Sequence, residues 1–469
     1  MPPVSPLPHP AATSAFDHAS APDRSAFIWG AATAAYQIEG AVEADGRGRS
    51  IWDTFSHQPE RIRDGRSGDV ACDHYHRWEE DVALAAGLGL DAYRFSIAWP
   101  RVQPDGRVFN RAGLDFYDRL VDGLLARGLT PFPTLFHWDL PQALEDDGGW
   151  LNRDTAHRFA EYATLAADRL GDRVSHWITL NEPFVHLAFG YALGRHAPGR
   201  TLGFSALPVG HHQLLGHGLA AAVLAERGGK VMLANNCTPV SPASDDPADR
   251  TAAALYDAVH NRFFLDPVLT GRYPDLIAGM LGEVVHDGDL ATIAAPPAAL
   301  GINYYTPTRI AAPENVDEPT PFGDFPFVPL PIEGVPRTGF DWPVAPDGLR
   351  ELLVGLRQQY GAALPPVYLT ENGCSYPDPA PVDGSVPDPE RIAFLDGHLR
   401  AVEDAIGAGV DVRGYFVWSL LDNFEWAEGY TQRFGLVHVD FETQVRTPKT
   451  SYHWYAERIR AARAASTFR

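Results

Sequence analysis

Eight short apolar runs, near residues 27–31, 92–97, 131–136, 175–180, 230–235, 299–304, 366–371 and 414–419, punctuate this chain, and most are followed by a helix-patterned stretch. Trp78, Val82, Ala85 and Leu88 recur at helical spacing between the first and second runs, and Leu114, Tyr117, Val121 and Leu124 do so between the second and third. Alternating strands and helices predict a parallel sheet of the α/β class. Eight such units fit a single closed eight-stranded parallel β/α (TIM) barrel better than an open doubly wound sheet. Long inserts at 32–75, 184–210, 237–250 and 311–346 follow strand ends, where they are expected to form the rim of a pocket at the C-terminal face. The 311–346 stretch is rich in Pro, Gly and acidic residues and resembles a linker, but a further strand follows it, so it reads as a loop over that face. At 469 residues the chain is longer than a common domain of roughly 100–200 residues, yet barrels routinely run longer as one unit. Residues 25–469 are therefore expected to form one barrel behind a disordered tail at 1–24.

A formal net charge of −22 argues against binding to nucleic-acid phosphates and against attraction to anionic membranes. Cys72, Cys237 and Cys374 are odd in number and widely spaced, which suggests neither a disulfide framework nor a structural zinc site. The first 24 residues lack the apolar core of a signal peptide, and no run is long enough to span a bilayer. A cytoplasmic protein with a small-molecule partner is expected, its oligomeric state open.

Two glutamates carry the chemistry. Glu182 in Thr179-Leu180-Asn181-Glu182-Pro183 and Glu371 in Leu369-Thr370-Glu371-Asn372-Gly373 each end an apolar run, and a barrel would gather both strand ends around one pocket. Glycosidic hydrolysis needs one carboxylic acid to protonate the leaving oxygen and one carboxylate to attack the anomeric carbon or to activate water. A carboxyl separation of about 5–5.5 Å gives retention and about 6.5–9.5 Å gives inversion, and sequence leaves that choice open.

A run of motifs makes a resemblance specific. Phe27-Ile28-Trp29-Gly30-Ala31-Ala32-Thr33-Ala34-Ala35-Tyr36-Gln37-Ile38-Glu39-Gly40-Ala41 resembles the N-terminal signature of glycoside hydrolase family 1. Tyr93 to Arg101, His137-Trp138-Asp139-Leu140-Pro141, the Glu182 motif, Asn303-Tyr304-Tyr305, the Glu371 motif and Trp418 to Trp426 resemble its later motifs in order. The likeness covers roughly residues 25 to 455.

The resemblance implies a barrel of retaining β-glycosidases, most simply an exo-acting β-glucosidase, with Glu182 as acid/base, Glu371 as nucleophile and no cofactor or metal. It places Arg94 and Tyr305 beside the nucleophile, where a cation and a hydroxyl donor favour the anion, and Asn181 on the sugar 2-hydroxyl. It further puts Gln37, His137, Trp138, Asn303, Glu425, Trp426 and Phe434 around the sugar, with Trp418 as stacking platform. Relatives that cleave 6-phosphoglycosides are expected to carry Ser, Lys and Tyr where this chain has Glu425, Gln432 and Phe434, so an unphosphorylated glycoside is expected. Gln37 and Glu425 can contact either C4 epimer, which leaves β-galactosidase or β-fucosidase activity open. Transglycosylation and a sugar-binding protein without turnover are the other readings.

Taken singly, these residues also have plainer explanations. A strand-end Glu is usually solvated or ion-paired, an isolated Trp is usually core, and Arg94 could be a structural ion-pair partner. Asp73, His74 and His76, and likewise His211, His212 and His217, resemble metal ligands only in composition, without recognisable spacing. Cys374, directly after the Glu371 motif, reads as a small packed hydrophobe.

Overall fold

The computed structural model describes residues 27–316 and 325–465; the expected N-terminal tail and part of the 311–346 loop lie outside them. Eight parallel strands close into a barrel: β1 Ile28–Ala32, β2 Ala92–Ser96, β3 Thr130–Phe136, β4 His176–Asn181, β5 Lys230–Asn236, β6 Ala299–Asn303, β7 Val367–Asn372 and β8 Val412–Trp418. Each pairs with its neighbours in chain order, and β8 returns to β1 with Ile28 opposite Gly414 and Ala32 opposite Trp418. All eight predicted runs fall on these strands within a few residues.

The outer layer follows from helical periodicity. The main helices are α1 His74–Gly87, α2 Arg111–Ala126, α3 Asp154–Leu170, α4 Leu207–Glu226, α5 Pro247–Asp257, α6 Pro346–Tyr360, α7 Pro389–Gly407 and α8 Thr450–Ala465. Leu114, Tyr117, Val121 and Leu124 form the buried stripe of α2, and Val82 and Ala85 that of α1, with Trp78 packed half-buried against the same core.

Alternation along each strand divides two cores. On β2, Tyr93 and Phe95 face the helices, whereas Ala92 joins Phe132, Ile178, Met232, Tyr368 and Phe416 inside the barrel. Arg94 follows Ala92 on that inner face, one layer nearer the C-terminal end. The pairing of β4 with β5 shifts register between Ile178 and Asn181, and that of β7 with β6 shifts between Leu369 and Glu371. Such irregularities re-aim side chains, and these two occur just where Asn181 and Glu371 must turn into the pocket. A small sheet of Val240–Pro242, Thr308–Ala311 and Val328–Leu330 buttresses the rim.

Candidate active site

The C-terminal strand ends open into a cavity of about 530 Å³ whose lining includes Glu182, Glu371, His137, Tyr305, Trp418 and Glu425. Glu182 stands immediately after β4 with φ 46°, a left-handed conformation, and Pro183 begins a short helix behind it. Trp138 and Trp426 also have positive φ, at 76° and 47°. Such conformations are costly for side-chain-bearing residues and concentrate where function over-determines the backbone.

The two glutamates are held by different chemistry. Arg94 Nη1 donates to Glu371 Oε1 at 2.7 Å, and the Tyr305 hydroxyl donates to Glu371 Oε2 at 2.7 Å. Glu182 instead receives neutral amide donors, from Asn303 Nδ2 at 2.9 Å and Asn236 Nδ2 at 3.2 Å. Burial raises the Glu182 carboxyl, and the charge of Glu371 raises it further, to about 8. Burial also raises Glu371, against the opposing pull of Arg94 and the Tyr305 hydrogen bond. The flanking groups thus favour the Glu371 anion, but desolvation outweighs them. Because the cation and the phenol serve Glu371, it loses its proton first, and its charge then holds the proton on Glu182.

A network of amides links the pair to His137 on the cavity wall. Asn181 Oδ1 accepts from Arg94 Nη2 at 2.6 Å and from Asn303 Nδ2 at 3.0 Å, which orients its amide nitrogen toward His137 Nε2 at 3.0 Å. Burial and the Arg94 cation push His137 well below the ordinary histidine range, so its ring is neutral. With Nε2 accepting from Asn181, the proton resides on Nδ1, a buried atom with no partner among the described residues. Gln37 Nε2 donates to Glu425 Oε2 at 3.2 Å and to Asn423 Oδ1 at 3.1 Å, leaving its Oε1 likewise without a partner. A buried donor and a buried acceptor are thereby presented for hydroxyl groups. Burial and the charges of Glu371 and Glu182 raise Glu425 to about 8.

Aromatic rings frame these polar groups. Trp418 lies nearly parallel to His137, with ring centres 5.8 Å apart, and Trp426 packs on Trp138 at 4.7 Å and Trp52 at 4.5 Å. Trp138 donates its indole N–H to Asn181 O at 2.8 Å, so it positions Asn181 as well as lining the cavity. Phe434 meets Tyr305, Phe340 and Trp342 at 6.1–6.4 Å.

Every residue proposed from the sequence lies at or beside this cavity, but several functional neighbours were not anticipated. Asn236 ends β5 within Lys230-Val231-Met232-Leu233-Ala234-Asn235-Asn236, a stretch whose only signal is its position at a strand end. Thr370, which donates to Asn303 Oδ1 at 2.6 Å, and the rim residues Phe184, Phe340 and Trp342 were likewise missed. The histidine clusters have local partners: His74 pairs with Asp81 at 2.8 Å, His211 with Asp289 at 2.9 Å and His217 with Thr179 at 2.7 Å. Cys374 is fully buried and its thiol is pushed up to about 12 by desolvation, as packing requires.

Residues 20–464 match the family described as Glycosyl hydrolase family 1. The chain belongs to that family. It is 51% identical over 465 residues to a thermostable beta-glucosidase B of Thermobispora bispora, covering 96% of this chain and 93% of that one. A bifunctional beta-D-glucosidase/beta-D-fucosidase of Bifidobacterium breve is 46% identical, with 92% and 96% covered. The crystal structure of a psychrophilic beta-glucosidase from Micrococcus antarcticus superposes with a TM-score of 0.89 at 50% identity, covering 94% of this chain and 98% of that one. Family 1 enzymes retain anomeric configuration, so the covalent route is the one this site must support.

Proposed function

We propose that the chain is an exo-acting β-glucosidase in which Glu371 is the nucleophile and Glu182 the acid/base. In the first step a Glu371 oxygen bonds to the anomeric carbon, the bond to the aglycone oxygen breaks, and that oxygen takes the proton from Glu182. In the second, Glu182 as carboxylate takes a proton from water, the water oxygen bonds to the anomeric carbon, and Glu371 departs. The observation that carries this assignment is the unequal donor set: a guanidinium and a phenol on Glu371, two neutral amides on Glu182.

The remaining polar groups fit a terminal sugar. Asn181 keeps one amide proton for the 2-hydroxyl, His137 Nδ1 offers a donor, Gln37 Oε1 an acceptor, and Trp418 a flat apolar face for the C–H side of the ring. Discrimination against a 6-phosphate rests on missing cations rather than on repulsion, since Glu425 holds its proton to about 8. Among the described cavity residues the only Lys or Arg is Arg195. Substrates in this reading are short β-glucosyl oligosaccharides and aryl or alkyl β-glucosides, with cytoplasmic breakdown of cellulose-derived oligosaccharides as the setting and residues 25–469 as one catalytic unit. The name of the Bifidobacterium breve relative supports a second ranking in which β-fucosides are also cleaved.

Replacing Glu371 by Gly tests the assignment. Turnover of p-nitrophenyl β-glucoside should vanish, and azide should restore it with an α-glucosyl azide as product. Activity near wild type without azide would remove Glu371 from the nucleophile role.

A further inference from the structure

Both amides that reach Glu182 end on the same oxygen. Asn303 Nδ2 donates to Glu182 Oε1 at 2.9 Å and Asn236 Nδ2 to the same atom at 3.2 Å. The orientation of Asn303 is set by Thr370, whose hydroxyl donates to Asn303 Oδ1 at 2.6 Å. Asn303 therefore turns its amide nitrogen to Glu182, and Oε1 accepts. An oxygen that accepts two amide donors is the carbonyl of the carboxylic acid, so the proton of Glu182 belongs to Oε2.

Asn236 is oriented from a different side. Its Oδ1 lies 2.9 Å from Nε2 of His260, whose Nδ1 lies 3.0 Å from the Tyr256 hydroxyl. His260 is 6% exposed, and its ring stacks on Phe184 with centres 3.8 Å apart. Burial lowers its pKa to about 3 against the pull of the Asn236 bond, so the ring is neutral and carries one proton. A carbonyl only accepts, which puts that proton on Nε2 and leaves Nδ1 to accept from Tyr256. The donors thus run one way, from Tyr256 to His260 to Asn236 to Glu182. His260 sits in Ala258–Arg262, wound as a π-helix directly after α5, a departure from α geometry that is frequent at functional sites.

We propose that His260 is a positioning residue for the acid/base, fixing through Asn236 which oxygen of Glu182 carries the proton. The inference rests on the β-glucosidase reading and on Glu182 as its acid/base. In the first step the Oε2 proton passes to the departing aglycone oxygen while Oε1 keeps both amide donors, whose bonds strengthen as the carboxylate forms. In the second, Oε2 takes the proton of the attacking water. Without the His260 donor the Asn236 carbonyl loses its partner, and the amide turns that carbonyl to Glu182, where only a protonated carboxyl can meet it. The acid form then gains over the carboxylate that the second step needs. Glu371, Arg94 and Asn303, which also act on Glu182, stay in place.

His260→Phe keeps a ring against Phe184 and removes the donor. On 2,4-dinitrophenyl β-glucoside, whose leaving group needs no proton, kcat reads the second step and kcat/KM the first. The variant should lose about tenfold or more in kcat, the worth of a hydrogen bond to a charged group, with kcat/KM near wild type. Azide, which attacks without a base, should restore kcat and give β-glucosyl azide. The alkaline limb of kcat/KM for p-nitrophenyl β-glucoside should move up by about one pH unit. A parallel fall in kcat and kcat/KM, or an unmoved limb, would overturn the inference. Neutron diffraction from the deuterated wild-type protein at pH 6 tests it without a variant: deuterons are expected on His260 Nε2 and Glu182 Oε2, and one on His260 Nδ1 or Glu182 Oε1 would overturn it. Wild-type turnover of p-nitrophenyl β-glucoside alongside such a failure sinks the inference alone, whereas silence toward that substrate sinks the parent reading as well.

Discussion

The guanidinium of Arg94 and the carboxylate of Glu371 meet at 2.7 Å with both side chains almost wholly out of water. The same guanidinium also donates to Asn181 at 2.6 Å, so one cation on β2 fixes residues at the ends of β4 and β7. Among the influences on Glu371, Arg94 is the largest that opposes burial. Arg94→Met should therefore raise the Glu371 pKa further and move the acidic limb of the kcat/KM profile to higher pH. The rate at the optimum should fall about 10²–10³-fold, as for loss of a preorganised donor. Arg94→Lys should rescue little, because a single ammonium cannot reproduce the fork that serves both partners. An unmoved acidic limb in Arg94→Met would detach Arg94 from the ionisation of Glu371.

In the proposed mechanism Glu182 carries a proton to the departing aglycone, and its carboxyl holds that proton to about 8. The alkaline limb of kcat/KM should accordingly fall near pH 8. Glu182→Ala should lose about 10²–10⁴-fold on alkyl glucosides, the usual worth of general acid catalysis. It should lose far less on 2,4-dinitrophenyl β-glucoside, whose leaving group departs without a proton. Equal losses on both substrates would contradict the acid role.

Sequence exposed the strands and the two glutamates because each depends on local pattern: an apolar run of strand length ending in a polar residue. The inner-face position of Arg94 is also local, two residues after Ala92 on β2. What stayed hidden depends on tertiary pairing. Asn236 acquires its role only because β5 lies beside β4, bringing its amide to Glu182, and nothing in the β5 run distinguishes it from Asn235. The contact of Gln37 with Glu425 joins opposite ends of the chain through the closure of β1 on β8. Phe340 and Trp342 sit in the loop whose composition resembled a linker, and only its fold over the mouth shows them as rim. The raised Glu371 follows from burial on every side, a quantity that no motif encodes.

Keeping a proton on a buried carboxyl has a stability consequence. An unfolded Glu182 loses its proton near the ordinary glutamate value of about 4.5, whereas the folded one keeps it to about 8. Across that window the folded state binds more protons, so this group lowers stability progressively as pH rises from about 4.5 to about 8. Glu182→Gln, which cannot ionise, should melt higher than wild type at pH 8 by on the order of 2 °C or more, with little gain at pH 5. A gain that is equal at both pH values would show that ionisation of Glu182 is not its source.

Lys449 offers a test of how the loop proposed to contact the sugar is held. It is one of only two lysines in a chain with 38 basic residues, and it is fully buried. Its ammonium bridges Asp378, in the segment after β7, to Asp422 at 2.8 Å, in the segment that carries Glu425 and Trp426. Asp422 also accepts from Arg433 at 2.7 Å and from the backbone of Gly435 at 2.9 Å, so the loop after β8 is wound around this carboxylate. Lys449→Met leaves two interior carboxylates short of their shared cation, a loss of about 3–5 kcal/mol. The melting temperature should drop by several degrees, and KM for p-nitrophenyl β-glucoside should rise more than kcat falls, because the sugar contacts loosen while Arg94 still holds Glu371. Lys449→Arg should also be destabilised, since a planar guanidinium must fit where a compact ammonium is enclosed. A melting temperature within 1 °C of wild type in Lys449→Met would show that the loop is held without this bridge.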